Sequence, residues 1–275
     1  MPALGFGTGS HPSSPAHELT AIIVDGIAAG YRHIDTAAMY GMEAAVGAAV
    51  AEAVERGLIK SRREVFVTSK LNVFDTHPDL VLPALKQTLR DSTEILQLII
   101  LNITLFDYVD LYLIHWPIRI KKDANVSNLK GEDLLKRFSV VEMNVAWQQQ
   151  KLVKLCKDKN IHVTAWSPLG ANGAFWGTLA VMESPVLKEF AASRNKTVPQ
   201  VALRWIVEQG VIPIVKSYNK ERMKANLEIF NWELSDEDIC KILTIPQAKA
   251  FKGDRFIIQG HGDYNSVEEL WDGEL

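Results

Sequence analysis

The sequence predicts an α/β barrel of parallel strands alternating with helices, with part of its wall missing. Three observations lead there. Short apolar runs rich in β-branched residues alternate with amphipathic stretches of helical length, the pattern of repeated βα units around a parallel sheet. Eight such strand candidates occur along the 275 residues, the number that closes a (β/α)8 barrel. One connection, between the fourth and fifth candidates, is too short to carry its helix.

The strand candidates are Ala3–Gly7, Tyr31–Asp35, Glu64–Ser69, Tyr108–His115, Val126–Asn128, Val140–Asn144, Ile161–Ser167 and Val211–Lys216. After the first, Pro15–Ala29 sets Leu19, Ile22, Ile23 and Ile27 at helical spacing, and Gly30 closes the helix. The alanine-rich stretch Glu43–Arg56 predicts a second helix, stopped by Gly57. Further helices are predicted over Asp79–Arg90, Gln148–Lys159, Val198–Gln209 and Lys220–Phe230, the last two on either side of the eighth strand. Ser235-Asp236-Glu237-Asp238 is a capping pattern that starts another, running to about Leu243. No linker or shift of composition divides residues 1–275, so one domain is expected, with residues 244–275 as its tail.

The fourth connection breaks the pattern. Only eight residues, Ile118 to Asn125, separate Pro117 from Val126. Fully extended they reach at most about 29 Å, enough to return alongside one strand but not to cover it. Just before the fourth strand, Ile95–Phe106 reads ILQLIILNITLF, a mostly apolar run. It is shorter than the roughly 20 residues a membrane-spanning helix needs. Exposed, it is an aggregation hazard. The glycosylation pattern Asn102-Ile103-Thr104 inside it is read as chance.

Composition narrows the function classes. Hydrophobic residues at 47% and charged ones at 23% are ordinary globular usage and argue against disorder. A net charge of −3 with no basic stripe argues against nucleic acid and anionic membranes as partners. Cys156 and Cys240 lack metal-ligand spacing and read as reduced thiols, and MPALGFGTGS shows no signal-peptide pattern, so a cytoplasmic monomer is expected.

The polar residues at strand ends carry the chemistry. Asp35 ends the second strand, Tyr40 lies in the loop beyond it, Lys70 ends the third and His115 the fourth. In a barrel all four project from the C-terminal face. They suit proton donation to a carbonyl oxygen: an adjacent Lys70 ammonium is expected to lower the tyrosine pKa, normally about 10, while Asp35 holds the lysine and His115 hydrogen-bonds the substrate oxygen. Singly, Asp35 reads equally as a strand-end cap and His115 as a buried structural histidine. A second group, Lys216-Ser217 with Arg222 and Asn226 on the following helix, suits a phosphorylated dinucleotide. The Trp166 indole can stack on a flat ring, and the loop Ser167-Pro168-Leu169-Gly170 offers amides to a pyrophosphate. No Gly-x-Gly-x-x-Gly turn opens a helix, which argues against a Rossmann domain. No metal or carboxylate pair is visible at the strand ends.

At these residues the sequence resembles the aldo-keto reductase family. Gly30–Ala37 (GYRHIDTA) through Glu43 and Gly47 looks like its first signature, and Lys216-Ser217 with Arg222 and Asn226 like its last. Val109–Pro117 (VDLYLIHWP), Val163–Gly170 (VTAWSPLG) and Ser266–Leu275 (SVEELWDGEL) are also family-like, with plant members of the deoxymugineic acid synthase, codeinone reductase and methylecgonone reductase type most similar. The resemblance implies a TIM barrel that reduces a small aldehyde or ketone with NADPH, using Asp35, Tyr40, Lys70 and His115 as a catalytic tetrad with Tyr40 as the acid. Thr8, Asp35, Ser127, Asn128, Trp166, Ser167, Leu169, Lys216, Ser217, Arg222 and Asn226 would line the cofactor. Asn72, Trp116, Trp147 and Trp271 would shape the substrate pocket.

The chain departs from the family pattern in several places. The fourth helix and the start of the fifth strand are missing, and so is the N-terminal hairpin. Ser139-Val140 stands where the family has an amide-binding Asn-Gln, Asn72 where an aromatic is usual, and Ala225 where a glutamate is usual. At roughly 25 cal/mol per Å², an uncovered helix face of several hundred Å² forfeits on the order of 10 kcal/mol. The alternative reading is therefore a catalytically impaired relative, a splice variant or relic that at most binds NADPH.

Overall fold

The computed structural model describes residues 1–9, 15–91, 108–115, 138–254, 257 and 266–270. The fifth strand candidate Val126–Asn128, the short connection before it and the apolar run Ile95–Phe106 lie outside the described residues. The chain divides into two compact units. One is Met1–Leu134 with Lys216–Lys220 and Phe256–Asn265; the other is Leu135–Val215 with Glu221–Arg255 and Ser266–Leu275.

In the first unit β1 (Gly5–Gly7), β2 (His33–Asp35), β3 (Phe66–Leu71) and β4 (Leu111–Ile114) form a parallel sheet in the order β4-β3-β2-β1. The connecting helices are α1 (Ala16–Ala29), α2 (Glu43–Glu55) and α3 (Val81–Asp91). Gly30 ends α1 at φ 119°, a conformation costly for any side chain, and its N–H returns to Gly26 and Ile27 carbonyls. Burial follows the predicted stripe: Leu19, Ile23 and Ile27 of α1 are inside, as are Ala45, Ala49 and Ala53 of α2. The alanines let the two helices pack together. In β3 the buried residues include Val67 and Leu71 but also Thr68, Ser69 and Lys70. Polar groups inside a strand must find partners, and the site supplies them.

In the second unit β5 (Phe138–Glu142), β6 (His162–Trp166) and β7 (Ile212–Val215) are again parallel, in the order β5-β6-β7. Around them run α4 (Gln150–Asp158), α5 (Pro185–Ser193), α6 (Val198–Glu208), α7 (Lys220–Leu227), α8 (Asp236–Leu243) and α9 (Val267–Leu270). Val141, Val163 and Ala165 join Val153, Leu187, Trp205 and Ile206 in one apolar core. Side chains alternate along a strand, so Val140, Glu142, Thr164 and Trp166 stand on the opposite face of the sheet. Two helices begin with full capping boxes, Thr197 with Gln200 and Ser235 with Asp238.

Seven of the expected strands fall among the described residues, and each forms a parallel strand within three residues of its predicted bounds. Helix α7 stops at Leu227 rather than Phe230. Helix α5 was not expected. It starts on Ser184, whose side chain accepts from Leu187 N–H, with Pro185 in the first turn. Among the described residues no helix is long and apolar enough to cross a membrane.

Candidate active site

Asp35, Tyr40, Lys70 and His115 all belong to the first unit, and the structure brings them together. Asp35 and Lys70 lie at the C-terminal ends of neighbouring strands, with Asp35 opposite Thr68 in the register. The Lys70 ammonium donates to Asp35 Oδ1 at 2.7 Å and to the Thr36 carbonyl at 2.8 Å. It is 1% exposed, so this is a buried ion pair. Tyr40 ends a short 3-10 turn, Ala38–Tyr40, which Gly41 closes at φ 64°. The turn swings the phenol back, and Lys70 Nζ sits 5.2 Å from the ring centroid. Its hydroxyl is 3.4 Å from His115 Nε2, and the two rings meet edge to face.

Gly9 explains part of this fit. A Cβ there would stand 3.1 Å from the Tyr40 ring, so the small residue makes room for the phenol.

Electrostatics corrects one expectation. Burial pushes the Tyr40 hydroxyl above its usual pKa, and the opposing pull of the Lys70 charge does not overcome it, so the net shift is up rather than down. Burial works against the Lys70 charge, but Asp35 and Tyr40 together outweigh it and hold the ammonium above the usual lysine range. Burial raises the Asp35 carboxyl as well, with Lys70 pulling it back. His115 is lowered to about 3 by burial and by the Lys70 charge, so it is neutral at pH 7. His33, the first residue of β2, is lowered to about 3 by burial and Lys70, and its Nε2 pairs with Thr68 Oγ1 at 2.9 Å.

The remaining predicted residues fall as follows. Thr8 is fully buried and bonds the Asp35 carbonyl through both its N–H and its hydroxyl. Asn72 accepts from Phe74 N–H and starts a local turn. Lys216 is exposed at the end of β7, its ammonium 5.3 Å from the Tyr218 ring, and among the described residues no carboxylate pairs with it. Ser217 Oγ accepts from Asn219 N–H before α7 begins. On α7, Arg222 is exposed and Asn226 buried.

In the second unit Trp166 ends β6, partly exposed, and Ser167 takes φ 50° just after it. Ser167 Oγ accepts from Trp176 Nε1 at 3.3 Å. Leu169 packs on the apolar core. Trp147 bridges Asn144, and Lys249 Nζ stands 5.1 Å from its ring. Trp116, Ser127, Asn128 and Trp271 lie outside the described residues.

Sequence reasoning missed Glu142, Trp176 and Phe251. Glu142 is 5% exposed at the end of β5, and Phe251 and Trp176 both pack edge-on against Trp166. The signal for Glu142 was the one used for Lys70, a charged residue closing an apolar run.

Comparison with known proteins gives these residues a lineage. The aldo/keto reductase family model matches residues 3–136 and 133–245. The chain is 45% identical to Protein REDOX 2 of Catharanthus roseus and 43% to rhazimal reductase 2 of Alstonia scholaris, covering all of this chain and 95% of each relative. It is 42% identical to deoxymugineic acid synthase 1-D of Triticum aestivum, over all of this chain and 97% of that one. The first two alignments run over 319 positions against 275 residues, so those relatives hold positions this chain does not have. The crystal structure of a Bombyx mori aldo-keto reductase in complex with NADP superposes with a TM-score of 0.78, at 30% identity and 90% coverage of both chains. That likeness carries the (β/α)8 class read from strand alternation. A family model spanning most of the chain, relatives above 40% identity and a matching solved fold leave one assignment: the chain belongs to the aldo/keto reductase family.

Proposed function

We propose that this chain is an NADPH-dependent oxidoreductase that reduces a small aldehyde or ketone to an alcohol, with Tyr40 as the proton donor. The observation that carries the reading is the buried Lys70 ammonium, held by Asp35 at 2.7 Å and facing the Tyr40 ring at 5.2 Å. The donor set fits a phosphorylated dinucleotide: Lys216 is an exposed cation with no carboxylate partner among the described residues, Arg222 is exposed on the following helix, and Trp166 offers a partly exposed indole at a strand end. Lys216, Ser217, Arg222 and Asn226 would hold the phosphate and adenine end, and Trp166 would face the nicotinamide with Ser167 and Leu169 beside the pyrophosphate. When bound, the cofactor supplies a hydride to the carbonyl carbon.

The chain's own residues then handle the proton. Because burial raises its pKa, Tyr40 is fully protonated at neutral pH and ready to donate to the carbonyl oxygen. The tyrosinate left behind is a buried anion, and the fixed Lys70 charge stabilises it without reorganisation. Asp35 keeps that charge in place. His115, neutral at pH 7, orients the oxygen through a hydrogen bond instead of competing as the acid. A second reading, an impaired family member, is favoured by the aligned positions this chain lacks and by Ser139-Val140 in place of an amide pair.

Titration with NADPH, with oxidation of NADPH against reactive aldehydes measured in parallel, separates the two. Wild type should bind and turn over. Lys216→Ala should weaken binding about tenfold, as loss of one charge-assisted phosphate contact does. Tyr40→Phe should keep binding while turnover falls by about 10² to 10⁴. Binding without turnover in wild type would support the impaired reading, and absence of binding would sink the reductase reading.

A further inference from the structure

Resting on the reading of Trp166 as the ring that faces the nicotinamide, we propose that Phe251, from the chain beyond α8, is a positioning residue that fixes the tilt of that indole, and that Glu142 holds Phe251 in place.

The end of α8 and the chain after it are stapled to the loop after β5 by a series of hydrogen bonds. Gln148 Nε2 donates to the Ile242 carbonyl, and Gln148 N–H donates to Gln247 Oε1 at 2.7 Å. Gln247 Nε2 donates to the Val145 carbonyl, and Ala248 N–H to the Ala146 carbonyl at 2.8 Å. The last bond of the series differs in kind. Phe251 N–H donates to Glu142 Oε2 at 3.2 Å. Every earlier acceptor is a neutral amide oxygen; this one is a buried carboxyl group whose pKa burial has raised. Among the described residues its other oxygen, Oε1, has no hydrogen-bond partner. Holding a carboxyl there is costly for packing alone, even with the Lys249 charge pulling its pKa back. Its place explains it: Glu142 is opposite Trp166 in the β5–β6 register.

Phe251 is 8% exposed, and its ring centroid lies 6.0 Å from Trp166 at 74°. The same ring meets Trp176 at 6.2 Å and 90°, and Phe175 at 6.5 Å. Trp176 meets Trp166 from another side, at 6.3 Å and 76°, and its indole N–H is tied to Ser167 Oγ. Edge-to-face contacts on two sides restrict the χ2 rotation that an indole at a strand end otherwise has. One clamp ring comes from the loop after β6, the other from the tail that follows α8. Substitutions in that chain therefore reach the cofactor face without touching it.

The test compares Phe251→Leu, Phe251→Tyr and Glu142→Ala with wild type in three measurements: NADPH affinity, energy transfer from tryptophan to bound NADPH, and kcat with one reactive aldehyde. Leucine keeps an apolar filler but removes the ring. Its expected signature is affinity within about threefold of wild type, since the phosphate contacts are intact, with altered energy transfer and kcat down about tenfold. Tyrosine restores the ring and should restore both readouts, whereas Glu142→Ala should behave like the leucine variant. If Phe251→Leu leaves energy transfer and kcat at wild-type values, the inference is wrong. It is equally wrong if Phe251→Tyr fails alongside leucine, because a filled volume and not a ring edge would then be at stake. Wild type that binds no NADPH would overturn the cofactor reading itself, a distinct result.

Discussion

Replacing Lys70 by methionine removes the only countercharge that Asp35 has at hydrogen-bond distance among the described residues, and the geometry sets the size of the effect. The ammonium is 1% and the carboxylate 10% exposed, at 2.7 Å, so neither side is much screened by water. Removing one partner of such a pair costs about 3–5 kcal/mol, because the other charge stays buried and uncompensated. The Thr36 carbonyl also loses its ammonium donor. Asp35→Asn leaves Lys70 in the complementary position. The double variant Asp35→Asn/Lys70→Met buries no charge, so its cost should fall short of the summed singles by about 2 kcal/mol or more. Urea denaturation of all four proteins at pH 7 measures this. Additivity within about 0.5 kcal/mol would refute the ion-pair argument. The pH dependence gives a second check. Burial already raises the Asp35 pKa, and losing Lys70 removes the pull that opposed it. A carboxyl with a raised folded pKa binds protons more readily folded than unfolded, so the Lys70→Met deficit should shrink as pH falls through that value. A deficit equal at pH 5 and pH 8 would contradict it.

His33, lowered to about 3 by burial and the Lys70 charge, is neutral when folded and takes up a proton on unfolding below about 6.5; its stabilisation is complete above that pH and is lost as pH falls toward 3. Wild type should therefore lose about 2 kcal/mol more than His33→Gln between pH 8 and pH 5, read from denaturation midpoints. Because His115 is also lowered to about 3, kcat should show no limb near pH 6.5, and its alkaline limb should lie above the ordinary tyrosine value of about 10, since burial raises Tyr40. A stopped-flow profile with an ionisation between pH 6 and 7 would reassign the acid. Thr197→Ala should cost about 1 kcal/mol through loss of the α6 capping box, visible as a lower melting midpoint with turnover unchanged.

The candidate site was legible wherever chemistry interrupts a local pattern. Asp35 and Lys70 stood out because each closes an apolar strand with a charge, and the same alternation located the strands. Ser235 revealed α8 because its capping box is written within four residues. What escaped was either short or tertiary. Helix α5 is nine residues long, and its signal, Ser184-Pro185, sits in a segment without a strong stripe. Phe251 is far from Trp166 in sequence, so no periodicity connects them. The direction of the Tyr40 shift was misread for a related reason: the charge of Lys70 can be read from neighbouring strand ends, but the burial that outweighs it exists only once the chain has folded. Asn72 was expected to border the substrate, and its visible contact is a local turn.

The described contacts of Asp35, Tyr40, Lys70 and His115 are all made within the opening 115 residues. None of them draws on β5, β6 or β7. On the proposed reading, the proton donor and the groups that hold it are therefore encoded in one continuous opening stretch of the chain. On that reading, a substitution beyond residue 115 leaves the partners of these contacts in place.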